Sequence, residues 1–321
     1  MAAVLLPWFW HRTGTADRHS ACTQHLTILI SAKAGQYITS YDLNLGGHMK
    51  SAILLQFHRN VPACLDRVSL LRNQNPGVPI FGLYGGTDWE HQKFRRHFSP
   101  VIDHFYFLRG KRPRWKWQNP DLCVRSWFKA VGKNFKFDVL YALQWDLLVA
   151  THINEAFKRV PQEAIGLTGL VPFHEVKDRW GWCTAATVRE PGRNGSWWNP
   201  QYAQLLAHLK KRFGYTHAPY VIHGPGQQLS RAFLETYAEE RVLELCHDEA
   251  RLPAYADAFG FKLVDNGFCR KWFNKAEWQY FNCEQKEIAD GIIHQELKKK
   301  NGRRVFHPVR RVVGLADLKA T

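Results

Sequence analysis

The stretch Ser51-Ala52-Ile53-Leu54-Leu55-Gln56-Phe57-His58-Arg59-Asn60-Val61-Pro62 decides the fold. Ser51–Phe57 is a nearly unbroken apolar run, the pattern of a parallel strand covered on both faces. Asn60-Val61-Pro62 reads as a helix start, because proline is tolerated in the first turn. Leu65, Val68 and Leu71 then recur at helical spacing, and Asn75-Pro76-Gly77 stops the helix.

Downstream the same alternation repeats. Strands are expected at 79–84, 101–108, 138–145 and 164–170, with short ones at 220–223, 261–265 and Val305–Phe306. Helices are expected after Asn119-Pro120, after Asn199-Pro200 (apolar stripe Tyr202, Leu205, Leu206, Leu209, Phe213), and at 230–240, 251–259 and 283–301. Between the third strand and the next helix, Arg109, Lys111, Arg112, Arg114, Trp115, Lys116 and Trp117 read as a basic aromatic loop. This order implies an α/β fold, a mainly parallel central sheet with helices on both faces. Ligands of such sheets bind at the carboxyl ends of the strands, which directs attention to residues 58–60, 85–88 and 146.

Residues 1–48 lack this periodicity apart from a short apolar run at 26–30, and Gly46-Gly47-His48 directly precedes Met49. The expected organisation is a poorly structured extension over 1–48, with Met49 as the natural start, and one domain over 49–321. Among the 321 residues, 44 are basic and 28 acidic, a formal charge of +16 that attracts polyanions. The seven cysteines are scattered without a C-x-x-C pair, which fits reduced thiols in a cytoplasmic protein better than a disulfide framework or a zinc site. The sequon Asn194-Gly195-Ser196 bears on function only in a secreted protein. No apolar run reaches membrane-spanning length, and the run from Ala2 to Trp10 is broken by Pro7 and lacks a cleavage site.

Several residues can carry chemistry. Asp146 follows Tyr141-Ala142-Leu143-Gln144-Trp145 at the end of a central strand, where a carboxylate needs a partner such as a metal-bound diphosphate. Cys246-His247-Asp248-Glu249 places two acids before a helix, and either can serve as a general base. His307, set among Arg303, Arg304, Arg310 and Arg311, is a candidate metal ligand beside groups that neutralise a diphosphate. Gly224-Pro225-Gly226-Gln227-Gln228-Leu229-Ser230-Arg231 reads as a turn whose amides, at a helix start, can hold an acceptor or a phosphate. Trp180, Trp182, Trp197 and Trp198 are candidates to line an acceptor cleft.

Taken together, this order of features resembles the nucleotide-diphospho-sugar glycosyltransferases of the GT-A fold, over roughly residues 49–314. The resemblance implies a sugar moved from a nucleotide-diphosphate donor to a hydroxyl of a saccharide or related acceptor, with inversion. It implies that Phe57, His58, Arg59 and Asn60 bind the base and that Gln144, Trp145 and Asp146 correspond to the Asp-x-Asp metal motif. Gly226, Ser230 and Arg231 correspond to the segment before the acceptor-side helix, Asp248-Glu249 to the base motif, and His307 to the terminal metal histidine. A manganese or magnesium ion on Asp146 and His307 is the implied cofactor. Gln144 stands where the motif has its first acid and brings no charge.

A nucleic-acid-binding protein is the alternative from another class, supported by the charge and the basic aromatic loop. Carboxylates at the strand ends repel phosphate and argue against it. A degenerate, non-catalytic domain of the same family is a further alternative, and Gln144 favours it. A nucleotidyltransferase is disfavoured, because no glycine-rich loop follows the first strand. An anionic membrane surface, met peripherally by the basic faces, completes the expected partners.

Overall fold

The alternate residues of Ser51–Phe57 part to opposite faces. Ala52 and Leu54 enter one core, and Ile53, Leu55 and Phe57 enter the other. This strand, β1, is therefore covered on both sides, as its apolar run requires. The computed structural model describes residues 50–180, 195–283 and 286–314, the side chains of 195–200 excepted. The expectations for 1–48, for Met49 and for Trp182, Trp197 and Trp198 lie outside the described residues.

In chain order the elements are β1 (Ser51–Phe57), α1 (Val61–Gln74), β2 (Ile80–Tyr84), α2 (His91–Phe98), β3 (His104–Phe107), α3 (Pro113–Gln118), α4 (Pro120–Ala130), β4 (Val139–Gln144) and β5 (Leu148–Val149). There follow α5 (Ile153–Ala156), β6 (Ile165–Pro172), α6 (Phe173–Val176), α7 (Gly195–Phe213), β7 (Tyr220–Ser230), α8 (Arg231–Glu239) and α9 (Asp248–Ala258). The last are β8 (Leu263–Asp265), α10 (Lys275–Trp278), α11 (Asp290–Lys298) and β9 (Val305–Phe306). The main sheet has seven strands in the order β3-β2-β1-β4-β7-β6-β8. Its β1–β2, β1–β4, β2–β3 and β6–β8 pairs are parallel, whereas β7 runs antiparallel to both β4 and β6. The fold is thus α/β with a mostly parallel central sheet flanked by helices.

The turn from β1 into α1 is made by Asn60, whose left-handed φ of 56° suits asparagine and whose side chain accepts the Ala63 N–H at 3.2 Å. A second tie joins α1 to the C-terminal segment. Arg67, 1% exposed, donates to the carbonyls of Val309 and Arg311, each at 3.0 Å. Asp66 accepts the N–H groups of Val313 and Gly314, each at 2.9 Å. Meanwhile β9 pairs with β5, just past β4, in a separate small sheet, and Val309 N–H donates to the Asp146 carbonyl at 2.8 Å. Residues 307–310 are in this way laid against the end of β4.

Several expectations are corrected. The third strand is shorter than 101–108, because residues 101–103 form a turn before β3. The basic aromatic stretch is not all loop. Pro113 opens the helix α3 at its first position, and Trp115 Nε1 and Lys111 both engage Glu244. Asn199-Pro200 does not begin a helix but lies inside α7, which starts at Gly195. The helix expected over 283–301 is confined to α11, because Ile288 N–H is engaged by the Pro308 carbonyl at 3.0 Å and holds the preceding chain along the C-terminal segment.

The largest correction concerns Gly224-Pro225-Gly226. It does not end a strand and open a helix; β7 continues through it to Ser230. The pairing of β6 with β7 jumps from Gly166↔Gln228 to Thr168↔His223, so the glycines form a bulge in β7. Gly226 has φ +81°, which suits glycine, and a Cβ there would lie 2.8 Å from Phe268. Thr168 Oγ1 donates toward both the Pro225 and Gly226 carbonyls at 2.7 Å, and Asn266 Nδ2 donates to Gly226 O at 2.9 Å. Bulges re-aim side chains beside functional sites, and this one turns His223 and Gly224 toward the carboxyl end of β4.

Candidate active site

A cleft of about 840 Å³ opens where β1 and β4 end and β7 begins. A narrower cavity of about 60 Å³ lies at the ends of β1 and β2, walled by His58, Tyr84, Gly85 and Lys116. His58, Trp117, Gln144 and Trp145 line both, so the two adjoin.

Asp146 sits at the floor of the cleft and is 6% exposed. Its Oδ2 accepts from Arg310 Nε at 3.3 Å, and its Oδ1 lies 3.5 Å from His307 Nε2. Burial pushes the Asp146 carboxyl up, but His307 and Arg310 override it and hold the group at about 2. The other ring nitrogen, Nδ1 of His307, donates to the Asn282 carbonyl at 2.6 Å. That bond fixes the ring and turns Nε2 toward the carboxylate.

A depressed carboxyl stabilises the fold above its unfolded value and loses that contribution as pH falls through the folded value. For Asp146 the window runs from about pH 5 down to about 2. Roughly 2 kcal/mol of unfolding free energy should disappear across it. Urea unfolding at stepped pH measures the loss, and an Asp146→Asn protein should lack that component.

At the end of β1, Arg59 lies over the Trp145 ring, 5.4 Å from its centroid, and His58 meets the same indole edge-on at 5.8 Å. Burial, reinforced by Arg59, lowers His58 to about 4, so its ring is neutral at physiological pH. Lys116, 4% exposed, lines the narrow cavity and donates to the Gly86 carbonyl at 2.9 Å.

The opposite wall carries the two acids. His247 is the N-cap of α9, with Asp248 and Glu249 in the first turn. Asp248, 0% exposed, lies 2.6 Å from His247 Nδ1. The same nitrogen accepts the Glu249 N–H at 3.4 Å and so caps the helix, while its contact with Asp248 is that of a close ion pair. Burial opposes protonation of His247, but Asp248 overrides it and raises the imidazole above its ordinary range. Glu249 instead turns toward β7, where its Oε1 accepts the Gly224 N–H at 3.0 Å. A Cβ on Gly224 would lie 3.2 Å from Gln144 Nε2, 3.6 Å from Glu249 Oε1 and 3.9 Å from Asp248 Oδ2. The bulge thus brings the end of β4 and the start of α9 to one point.

Behind this wall is a buried network. Arg251 is 0% exposed and pairs with both oxygens of Asp121 on α4, at 2.8 and 2.5 Å. Tyr237 Oη donates to the same carboxylate at 2.6 Å. Arg251 also donates to the carbonyls of Leu245 and Cys246, at 3.2 and 2.9 Å, fixing the approach to His247-Asp248-Glu249.

The structure brings together His58, Arg59, Gln144, Trp145, Asp146, Asp248, Glu249 and His307 around the cleft. Phe57 is a core residue stacked on Phe98 at 4.3 Å that reaches only the narrow cavity, and Asn60 serves as a cap whose Nδ2 donates to Arg310 O at 2.5 Å. Gly226, Ser230 and Arg231 are not in the cleft. Because β7 is antiparallel, Ser230 sits opposite Val139 at the amino end of β4, where Arg231 donates to Phe135 O and Lys133 O. Their expected ligand role is withdrawn. Trp180 does line the cleft, edge-on to Trp272 at 5.6 Å. Lys116, His223, Trp272, Cys283 and Arg310 also line these cavities. Only Lys116 and Arg310 gave a signal in the sequence, as members of basic runs.

A divalent cation at Asp146 finds a fitting donor pair. Asp146 Oδ1 and His307 Nε2 face each other at 3.5 Å, and with Nδ1 committed to Asn282 the pair needs a proton or a cation between. Oxygen and imidazole donors suit manganese or magnesium. Gln144 adds no charge, and its amide points toward Gly224.

No family model matches the chain, and no curated protein matches it. Solved structures resemble it. One is a mannosyltransferase from Pyrobaculum calidifontis in complex with GDP-mannose and Mn2+, at 11% identity and TM-score 0.37, covering 68% of this chain and 55% of that one. Another is the bifunctional glycosyltransferase WbbM in its apo form, at 8% identity and TM-score 0.40, covering 83% and 46%. A third is the galactosyltransferase LgtC with donor and acceptor sugar analogues, at 12% identity and TM-score 0.37, covering 68% and 74%. The chain spans about half the length of the first two. No helix among the described residues is long and apolar enough to cross a membrane.

Proposed function

We propose that the protein is a glycosyltransferase that moves a sugar from a nucleoside-diphosphate donor to a hydroxyl of a saccharide or related acceptor, with inversion. The observation that carries this reading is the cleft itself. At the carboxyl ends of the strands it joins a cationic floor, Arg59 and Arg310 with His307 around Asp146, to a carboxylate wall at Glu249. Such an arrangement suits a substrate that is anionic at one end and must lose a proton near the other.

In this reading the nucleoside lies in the cleft, an edge of its base turned to the mouth of the narrow cavity beside His58, Tyr84 and Lys116. The diphosphate lies over the end of β4, where Arg310, oriented by Asp146, and Arg59 face its negative charge. A divalent cation, when bound by Asp146 and His307, supplies further positive charge toward the leaving diphosphate. Asp248 is sealed against His247, so Glu249 is the carboxylate placed to accept the acceptor proton. The acceptor oxygen bonds to the anomeric carbon as the bond to the diphosphate oxygen breaks, and the diphosphate leaves with the electron pair. Trp180 and Trp272 offer flat faces on which an acceptor sugar can stack.

Incubation with a panel of UDP-, GDP-, CDP- and dTDP-sugars tests the proposal. One donor class should be consumed, and NMR of the product should show the opposite anomeric configuration. Retained configuration would remove Glu249 from the base role, and no consumption in the presence of varied acceptors would favour the non-catalytic alternative.

A further inference from the structure

The bulge in β7 has a second consequence, unrelated to Asp146. His223, turned into the cleft, meets Glu249 from the first turn of α9 and Cys283 from the segment after α10. One ligand atom from each lies within 4.8 Å of the others. His223 Nδ1 and Cys283 Sγ are 3.3 Å apart. Tetrahedral zinc, with bonds of about 2.0–2.1 Å to nitrogen and 2.3 Å to sulfur, separates two such ligands by about 3.5 Å. The three atoms span at most 4.8 Å, so a further approach of about 1 Å brings the set to ligand separation. The surroundings already orient two of the ligands. His223 is stacked on Trp272 at 4.0 Å and 19°, and that indole is anchored by its N–H to Gly169 O at 2.6 Å. Glu249 is held by the Gly224 N–H at 3.0 Å. Such supporting contacts are typical of ligands held in place for an ion.

We propose that His223, Glu249 and Cys283 form a binding site for a borderline-soft divalent cation, zinc in particular, on the wall of the cleft that faces Asp146. The sulfur donor separates it from the Asp146–His307 pair, whose oxygen and imidazole donors suit harder ions. Three protein ligands leave a coordination position open toward the cleft, as in exchangeable or catalytic zinc sites. The ligands come from three chain segments, which is why no C-x-x-C spacing announces the site in the sequence. The ligand set stands apart from the transferase reading. Only its consequence rests on that reading: a bound cation takes the Glu249 carboxylate away from an acceptor hydroxyl.

Cobalt(II) titration of the full chain tests the site without donor or acceptor. Bound cobalt reports sulfur ligation by a thiolate charge-transfer band and coordination number by its visible bands. The expected result is one saturable cobalt with a thiolate band, displaced by zinc. The band should vanish in Cys283→Ser, a substitution at an exposed side chain, and cobalt affinity should fall at least about tenfold in His223→Ala. His307→Ala should keep the thiolate band, which separates this site from the one at Asp146. A thiolate band that survives Cys283→Ser, or none with cobalt in excess over folded wild-type protein, overturns the proposal. Either result leaves the transferase reading untouched, because no turnover is measured.

Discussion

Glu249→Gln is expected to slow sugar transfer by about 10²–10⁴-fold, the usual contribution of a positioned general base. The replacement keeps the shape and leaves an amide oxygen to accept the Gly224 N–H, which Oε1 now receives at 3.0 Å. The bulge should therefore persist, and nucleoside-diphosphate affinity should be unchanged, since the diphosphate contacts lie around Asp146. Removal of a group that acts only in the transition state lowers kcat and kcat/KM together. Asp248→Asn is the instructive comparison. Asp248 is 0% exposed and engaged with His247 Nδ1 at 2.6 Å, so its loss acts through the position of the loop. The amide should lower stability, and it should abolish the upward shift of the His247 titration that Asp248 causes. If Asp248→Asn stops transfer in a fully stable protein while Glu249→Gln does not, the two assignments must be exchanged.

Asp121→Ala should cost about 3–5 kcal/mol of unfolding free energy, because it strands the Arg251 guanidinium, 0% exposed, without its carboxylate. The same change leaves Tyr237 Oη without the acceptor it reaches at 2.6 Å. Arg251→Met should be comparably harmful, since Asp121 is then buried and unpaired. The double replacement Asp121→Leu with Arg251→Met should recover much of the loss, as buried ion pairs exchanged whole for apolar groups often do. Urea denaturation of the wild type, Asp121→Leu, Arg251→Met and the double variant closes the cycle. Because Arg251 also holds the Leu245 and Cys246 carbonyls, the double variant should remain folded yet transfer sugar more slowly.

The contrast between what could and could not be read in advance follows sequence distance. The β1 strand, the Asn60 cap and the place of Asp146 at the end of β4 are local features. An apolar run, a proline in a first helical turn and a carboxylate after a strand each carry their own signal. Gly224-Pro225-Gly226 misled because glycine and proline usually punctuate. Here Thr168 and Asn266 satisfy the carbonyls of the bulge from 57 and 40 residues away, and the strand survives. With that strand extended, Ser230 and Arg231 move to the far end of the sheet. Asp121 and Arg251, 130 residues apart, look in the sequence like ordinary surface charges on two helices. Only their burial reveals them as partners. The pairing of Arg310 with Asp146 depends on Arg67 and Asp66 tethering the C-terminal segment across more than two hundred residues. His223 and Cys283 meet through the same bulge, and their separation of 60 residues hides them equally well.

A nucleoside diphosphate is expected to lie over the floor of the cleft, with its base at the mouth of the narrow cavity. Calorimetric titration of UDP, GDP, CDP and dTDP into the wild-type and Asp146→Asn proteins, with and without manganese, tests it most directly. One nucleotide should bind at least about tenfold more tightly than the rest, and Asp146→Asn should weaken it by about tenfold or more, a difference of about 1.4 kcal/mol. Folded wild-type protein that binds none of the four, or binds one with an affinity indifferent to Asp146, would contradict it.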